Sequence, residues 1–121
     1  MIKQVSSIIL ATAISFCAQA KVPQILINTC HSESEITGHQ CWRLGVAYRN
    51  ENNYTKSLEA FKRSCKFDYA SGCSVVGHAY FYGQLGVKQN YKKAKSFYQK
   101  GCNLGEESIC TMIKEVEAEQ Q

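Results

Sequence analysis

The sequence lacks several features that mark common protein classes. Its formal charge of +4 over 121 residues is small, and does not give the strong basic field of a nucleic-acid-binding protein. After residue 20 there is no long apolar run, so we expect no membrane insertion. No stretch shows a clear strand pattern of alternating apolar and polar residues, which favours an all-α chain.

The sequence also lacks the common catalytic motifs. Ser-x-x-Lys, Gly-x-Ser-x-Gly, His-Glu-x-x-His and the glycine-rich phosphate-binding loops do not occur. The three histidines are His31, His39 and His78, and none has an evident serine and carboxylate beside it in the sequence. We therefore expect no catalytic residues and no cofactor, and we favour a protein that is not an enzyme.

The first 20 residues have the pattern of a secretory signal peptide. Lys3 precedes an uncharged apolar stretch, 5–16, and Ala18-Gln19-Ala20 forms a small-x-small cleavage site. The apolar stretch is too short to be a good membrane span. We expect cleavage after Ala20 and a mature domain of residues 21–121 in the periplasm or outside the cell.

The remaining chain repeats itself. Residues 41–48, CWRLGVAY, align with residues 73–80, CSVVGHAY, and residues 53–65, NYTKSLEAFKRSC, align with residues 90–102, NYKKAKSFYQKGC. The offset grows from 32 to 37 residues because five residues, 83–87, are inserted in the second unit. Apolar positions recur with helical spacing in each segment. The pattern predicts helices near 23–31, 36–50, 54–66, 70–82, 90–103 and 107–118, with a loop at 83–89.

Six cysteines follow the leader, and an even number in a small exported chain indicates a disulfide framework. Each of three pairs joins the end of one predicted helix to the first turn of the next. Two of the pairs are eight residues apart and the third is eleven apart. We therefore predict the disulfides Cys30–Cys41, Cys65–Cys73 and Cys102–Cys110.

The segments LGVAY at 44–48 and YTKSLEAF at 54–61 resemble a tetratricopeptide repeat. The second unit, with Gly83 and Gly86 in its longer loop, looks like a Sel-one-like repeat. With its C-x7-C pairs, the chain is similar to the cysteine-rich Sel-one-like proteins of the Helicobacter cysteine-rich protein family. The resemblance implies a short right-handed α/α superhelix of about two and a half repeats linked by disulfides.

The resemblance also implies functions. Members of that family have been described as peptide-binding scaffolds, and also as penicillin-binding proteins or weak β-lactamases. Short exported Sel-one-like proteins also occur as immunity partners of toxins. We expect a monomer that binds a protein or peptide partner in the cell envelope, as an immunity protein or adaptor. A weak β-lactam hydrolase is the alternative.

The tetratricopeptide-like register implies which side chains face the concave groove. They are Trp42, Val46, Arg49, Asn50, Ser74, His78, Phe81 and Tyr82, with Thr111 and Glu115 from the last helix. Aromatic and arginine side chains are frequent anchors of protein interfaces. The alternative is that Trp42 and Phe81 pack against each other or under the first helix.

Two other clusters have competing interpretations. Cys30, His31, His39 and Cys41 could supply four zinc ligands, but in an oxidising compartment a disulfide is the expected state and we predict no metal. Five lysines lie between Lys88 and Lys100 with no acidic residue among them. They form either a solvated outer helix face or a docking site for an acidic partner.

Overall fold

The computed structural model describes residues 21–121; the predicted signal peptide, 1–20, and its cleavage site lie outside the described residues. The described chain contains six helices. They are α1 (Gln24–His31), α2 (Thr37–Asn50), α3 (Tyr54–Lys66), α4 (Ala70–Tyr82), α5 (Tyr91–Asn103) and α6 (Glu107–Glu119). No strand occurs between residues 21 and 121. The predicted all-α class is confirmed, and the helix bounds differ from the predicted ones by at most one residue.

Equivalent residues begin α3 and α5. Asn53 and Asn90 are the N-caps of these helices, and their side chains accept hydrogen bonds from the backbone N–H groups of Lys56 and Lys93, respectively. An N-cap asparagine satisfies a backbone donor that has no partner inside the helix. The two units of the repeat therefore start their second helices in the same way.

The same backbone contact closes both units despite the five-residue insertion. The N–H of Asn53 donates to the carbonyl of Tyr48 at 2.9 Å, and the N–H of Asn90 donates to the carbonyl of Tyr80 at 2.7 Å. In the second unit the chain leaves α4 through Gly83, whose φ of 67° is in the left-handed region that glycine adopts without steric cost. The insertion therefore lengthens the loop without changing how the helices pair.

Small residues bring the helices of each unit close together. A Cβ on Gly45 would lie 2.7 Å from the ring of Phe61, and a Cβ on Gly77 would lie 2.5 Å from the ring of Tyr98. In the first unit the Ser57 hydroxyl also donates a 2.7 Å hydrogen bond to the Gly45 carbonyl. The two helices of each unit therefore pack closely at these glycines.

The helices pack as a stack of repeats. Each helix packs against the next along the chain, and α2 also contacts α4. The main core contains ten buried residues between Leu58 and Val116, and a second cluster joins α1 to the first unit. Contacts between neighbouring units, with little contact across the whole chain, are characteristic of helical-repeat proteins.

The three disulfides are Cys30–Cys41, Cys65–Cys73 and Cys102–Cys110, as the spacing predicts. Each links the end of one helix to the start of the next, so each joins neighbouring units of the stack. By the chain-entropy relation a loop of eight to eleven residues gives about 2.5 kcal/mol of stability. This contribution is large for so short a stack, whose helices bury only a small core.

None of the helices between residues 21 and 121 has the length and apolar character that a bilayer span requires.

Candidate functional site

A cavity of about 350 Å³ lies between α2, α4 and the loop that follows α4. We call it the α2–α4 cavity. Its lining combines polar groups with short apolar side chains: Arg49, Ser74, Val75, His78, Ala79, Gln84 and Leu85. Three of the predicted groove residues (Arg49, Ser74 and His78) therefore come together around one cavity.

His78 is held in a defined orientation. Its Nδ1 lies 2.8 Å from the carbonyl oxygen of Ser74, and because a carbonyl only accepts hydrogen bonds, Nδ1 is the donor. The other ring nitrogen, Nε2, is not used in this contact. The ring stacks on Tyr82 at 6.0 Å between centroids and meets Tyr98 edge-on at 5.4 Å. The imidazole is therefore fixed by its backbone contact and by two aromatic rings.

Arg49 supplies the positive charge of the cavity. The residue is exposed, and its guanidinium carbon lies 6.0 Å from the centroid of the Phe61 ring. In the part of the chain that the structure describes, Arg49 takes part in no ion pair, and no acidic side chain lines the cavity. An arginine in this state can form paired hydrogen bonds with a carboxylate or donate to a backbone carbonyl.

A buried phenol lies next to this cavity. Tyr98 is fully buried, and its hydroxyl has no hydrogen-bond partner among residues 21–121. Burial raises the pKa of Tyr98 above its ordinary value, and the negative charges of ionised Tyr82 and Glu115 raise it further. Glu115 of α6 therefore lies close enough to act on Tyr98, although it does not line the cavity.

The other predicted groove residues differ in their positions. Tyr82 is 54% exposed and stacks on His78, so it lies at the edge of the α2–α4 cavity. Val46 is partly buried and packs against the core. Asn50 is exposed but does not line the cavity, and neither does Thr111.

The prediction that Phe81 faces the groove is wrong. Its side chain is only 8% exposed and belongs to the main core. The ring packs against Tyr82 at 4.7 Å and against Tyr91 of α5 at 5.5 Å. Residues that follow one another along a helix point about 100° apart, so the face that exposes Tyr82 turns Phe81 toward α5.

Trp42 is partly buried against the main core. Its ring stacks with His39, at 6.3 Å between centroids, and lies 6.3 Å from Tyr69. The indole Nε1 is buried and finds no acceptor among the described residues. The predicted contact between Trp42 and Phe81 is not among the aromatic contacts of the described residues. Most of the indole contributes to packing.

Four residues of the lining are not among those predicted from the sequence: Val75, Ala79, Gln84 and Leu85. Gln84 and Leu85 belong to the five-residue insertion, for which the sequence predicts a loop but no binding role. Leu85 adopts a positive φ of 53°, which is uncommon for a residue other than glycine. The insertion itself is the signal that could have identified Gln84 and Leu85, because it lengthens the second unit beside the groove.

The lysines between Lys88 and Lys100 make several contacts within the chain. Lys95 forms an ion pair with Glu117 at 2.7 Å, and Lys100 lies 3.5 Å from Asp68. Lys93 lies 5.2 Å from the centroid of the Tyr80 ring. These contacts favour the interpretation of a solvated helix face.

The alternative of a zinc site at Cys30 and Cys41 is not supported. Their sulfurs are joined in a disulfide, so they are not available as thiolate ligands. Among residues 21–121, no three histidine, cysteine or acidic residues are grouped so that they could hold a metal ion.

The fold is that of a disulfide-linked helical-repeat protein. Over 85 residues the chain is 31% identical to a protein of Drosophila melanogaster named cytochrome c oxidase assembly factor 7 homolog. The aligned stretch covers 67% of this chain but spans only 31% of the Drosophila protein. No protein-family model and no solved structure matches the chain.

Proposed function

We propose that this chain is an exported Sel-one-like repeat module that binds a protein or peptide partner at the α2–α4 cavity. The observation that carries the proposal is the cavity of about 350 Å³ that Arg49, Ser74 and His78 line beside the exposed ring of Tyr82. The site therefore combines hydrogen-bond donors and an exposed aromatic ring with the apolar side chains of Val75, Ala79 and Leu85. Binding sites commonly combine an apolar surface with a few polar groups that fix the ligand's orientation.

The exposed surface of the described residues is large enough for a protein interface. A standard protein interface buries about 800 Å² on each partner, and the whole described chain exposes 8270 Å². Arginine and tyrosine are among the residues that most often dominate the energy of an interface. Arg49 and Tyr82 are therefore the anchors that we propose.

The three disulfides support an oxidising compartment, because such bonds persist in the periplasm and outside the cell. In the periplasm the module would act as an adaptor or as an immunity protein that holds a toxin. The Drosophila relative is named an assembly factor. By that analogy the partner would be a protein whose assembly the module assists.

Site-specific photo-crosslinking in the native cells tests this proposal. A photoreactive amino acid replaces Tyr82 in one strain and Tyr54 in a matched strain. Both tyrosines are exposed (54% and 44%), but only Tyr82 stacks on His78 of the cavity lining. We expect one protein to be crosslinked from position 82 and not from position 54. Equal crosslinking from both positions, or none from position 82, contradicts the proposal.

An assay of β-lactam hydrolysis tests the alternative that the family resemblance offers. Protein purified in two successive steps is incubated with a chromogenic cephalosporin. We expect no turnover above the level of a heat-denatured sample. Turnover that scales with the amount of protein and survives the second purification would support the hydrolase instead.

A further inference from the structure

A second cavity, of about 240 Å³, lies where α1 meets α2 and α3. We call it the Tyr48 crevice. Its lining consists of Cys30, His31, Leu44, Tyr48, Lys56, Glu59, Ala60 and Arg63. It shares no residue with the α2–α4 cavity, so it is a separate feature of the surface.

The second unit of the repeat shows what belongs in this position. Tyr80 is the equivalent of Tyr48, and Phe97 is the equivalent of Ala60 in the aligned segments. The Phe97 ring stacks on the Tyr80 ring, with centroids 5.9 Å apart and an angle of 13° between the planes. The first unit has no ring at this position, because Ala60 stands where the second unit has Phe97. Tyr48 and Ala60 both line the crevice, so it lies where the aligned second unit has the Phe97 ring.

The platform for such a ring is retained in the first unit. The ammonium group of Lys56 lies 5.5 Å from the centroid of the Tyr48 ring, as that of Lys93 lies 5.2 Å from the centroid of the Tyr80 ring. An apolar cavity of about 150 Å³ is large enough to bind benzene. The crevice, at about 240 Å³, is larger than that and therefore has room for an aromatic ring.

The charges around the crevice favour an anion beside the ring. Lys56 and Arg63 both line it, and Glu59 is the one acidic residue of the described chain that does. Arg63 is held in place by a 2.9 Å hydrogen bond from its Nε to the carbonyl of Cys30. The positive charges of Lys56 and Arg63 exceed the single negative charge of Glu59. The arginine guanidinium also has the geometry to form paired hydrogen bonds with a carboxylate of the ligand.

We infer that the Tyr48 crevice is a second binding site, for a phenyl ring that carries a carboxylate. The ring stacks on Tyr48 in the position that Phe97 takes in the second unit, and the carboxylate pairs with Lys56 and Arg63. A carboxyl-terminal aromatic residue of a polypeptide and a free aromatic acid share this chemistry.

Titration of the ¹⁵N-labelled oxidised protein, followed by NMR, tests the site. The probe is N-acetyl-L-phenylalanine, added to about 5 mM so that a millimolar Kd is visible. N-acetyl-L-leucine and N-acetyl-L-phenylalanine amide are the controls that lack the ring and the carboxylate. We expect the probe to shift the amide signals of Cys30 and Ala60, and each control to shift them less. A fourth arm, 3-phenylpropanoate, distinguishes the sources: binding as tight as the probe's indicates a free acid, and weaker binding indicates a chain terminus.

Two variants locate the binding. Ala60→Phe supplies the ring that the second unit has, so it should abolish the shifts while the circular-dichroism spectrum stays unchanged. Tyr48→Leu keeps an apolar side chain but removes the stacking surface, and should weaken binding about three- to tenfold. Ser74→Ala, in the α2–α4 cavity, should leave binding unchanged. No shift with the wild type, or equal affinity in wild type and Tyr48→Leu, would overturn the inference even if Ala60→Phe does not fold.

Discussion

Gly77 lies directly against the ring of Tyr98: a Cβ at position 77 would come within 2.5 Å of two atoms of that ring. Because Tyr98 is fully buried and Gly77 is in the middle of α4, neither side can move away easily. The equivalent pair, Gly45 and Phe61, has the same arrangement in the first unit. The distance between the paired helices is therefore set by a glycine and an aromatic ring in each unit.

We predict that Gly77→Ala destabilises the protein. Alanine favours a helix by about 1 kcal/mol over glycine, but forcing a methyl group into a filled core costs about 1–3 kcal/mol. The contact at 2.5 Å is with a rigid ring, so the steric cost should prevail and lower the free energy of unfolding by about 1–2 kcal/mol. Urea unfolding measures it, with Ser71→Ala on the exposed side of α4 as the control. A more stable Gly77→Ala variant contradicts this packing.

Removal of the Cys65–Cys73 disulfide should cost about 2.5 kcal/mol of stability, because the bond closes a short loop between neighbouring units. The double variant Cys65→Ala, Cys73→Ala removes it without leaving a free thiol. Thermal unfolding should show a clearly lower Tm than that of the wild type.

Peptide mapping under non-reducing conditions should find the three neighbour pairs, and a link between distant units would contradict the assignment.

The sequence was sufficient to predict the stack because its signals are local. The offset of 32 residues, the offset of 37 and the spacing of Cys65 and Cys73 depend only on positions along the chain. Phe81 and Tyr82 point about 100° apart on α4, and which of them is buried depends instead on where α5 packs against α4, since Phe81 contacts Tyr91 of α5. The Tyr48 crevice depends on which ring is absent at Ala60, which has a meaning only once Phe97 is seen to stack on Tyr80.

Trp42 should contribute to stability more than to binding. Its ring packs between His39, Tyr69 and the core. Because the ring is only partly buried, Trp42→Ala should lower the free energy of unfolding by about 3 kcal/mol, the lower end of the range for a core aromatic residue. Trp42→Phe keeps an aromatic ring and removes the indole N–H that lacks a partner within the described chain, so it should cost less. Urea unfolding of both variants separates these effects. An unchanged stability of Trp42→Ala would show that the ring is not part of the core.

Stability should fall at alkaline pH because of Tyr98. Burial raises the pKa of this phenol in the folded state, whereas in the unfolded chain it ionises near its ordinary pKa of about 10. Above that pH the unfolded state loses a proton that the folded state keeps, so the free energy of unfolding falls by at most about 1.4 kcal/mol per pH unit. Below about pH 10 this group has no effect. Urea unfolding at several pH values between 8 and about 11 should show a shallower decline in the free energy of unfolding for Tyr98→Phe than for the wild type. Equal slopes would show that Tyr98 does not cause the decline.

Binding at the α2–α4 cavity is tested by the affinity of single-site variants for the partner that is crosslinked at position 82. Isothermal titration calorimetry compares Arg49→Ala and Tyr82→Ala with the control variants Arg43→Ala and Tyr54→Ala, which change exposed residues of the same types outside the α2–α4 cavity. We predict that Arg49→Ala and Tyr82→Ala each weaken binding by about 1–2 kcal/mol, with an unchanged circular-dichroism spectrum, while the controls bind as the wild type does. The same Kd for all four variants and the wild type would contradict it.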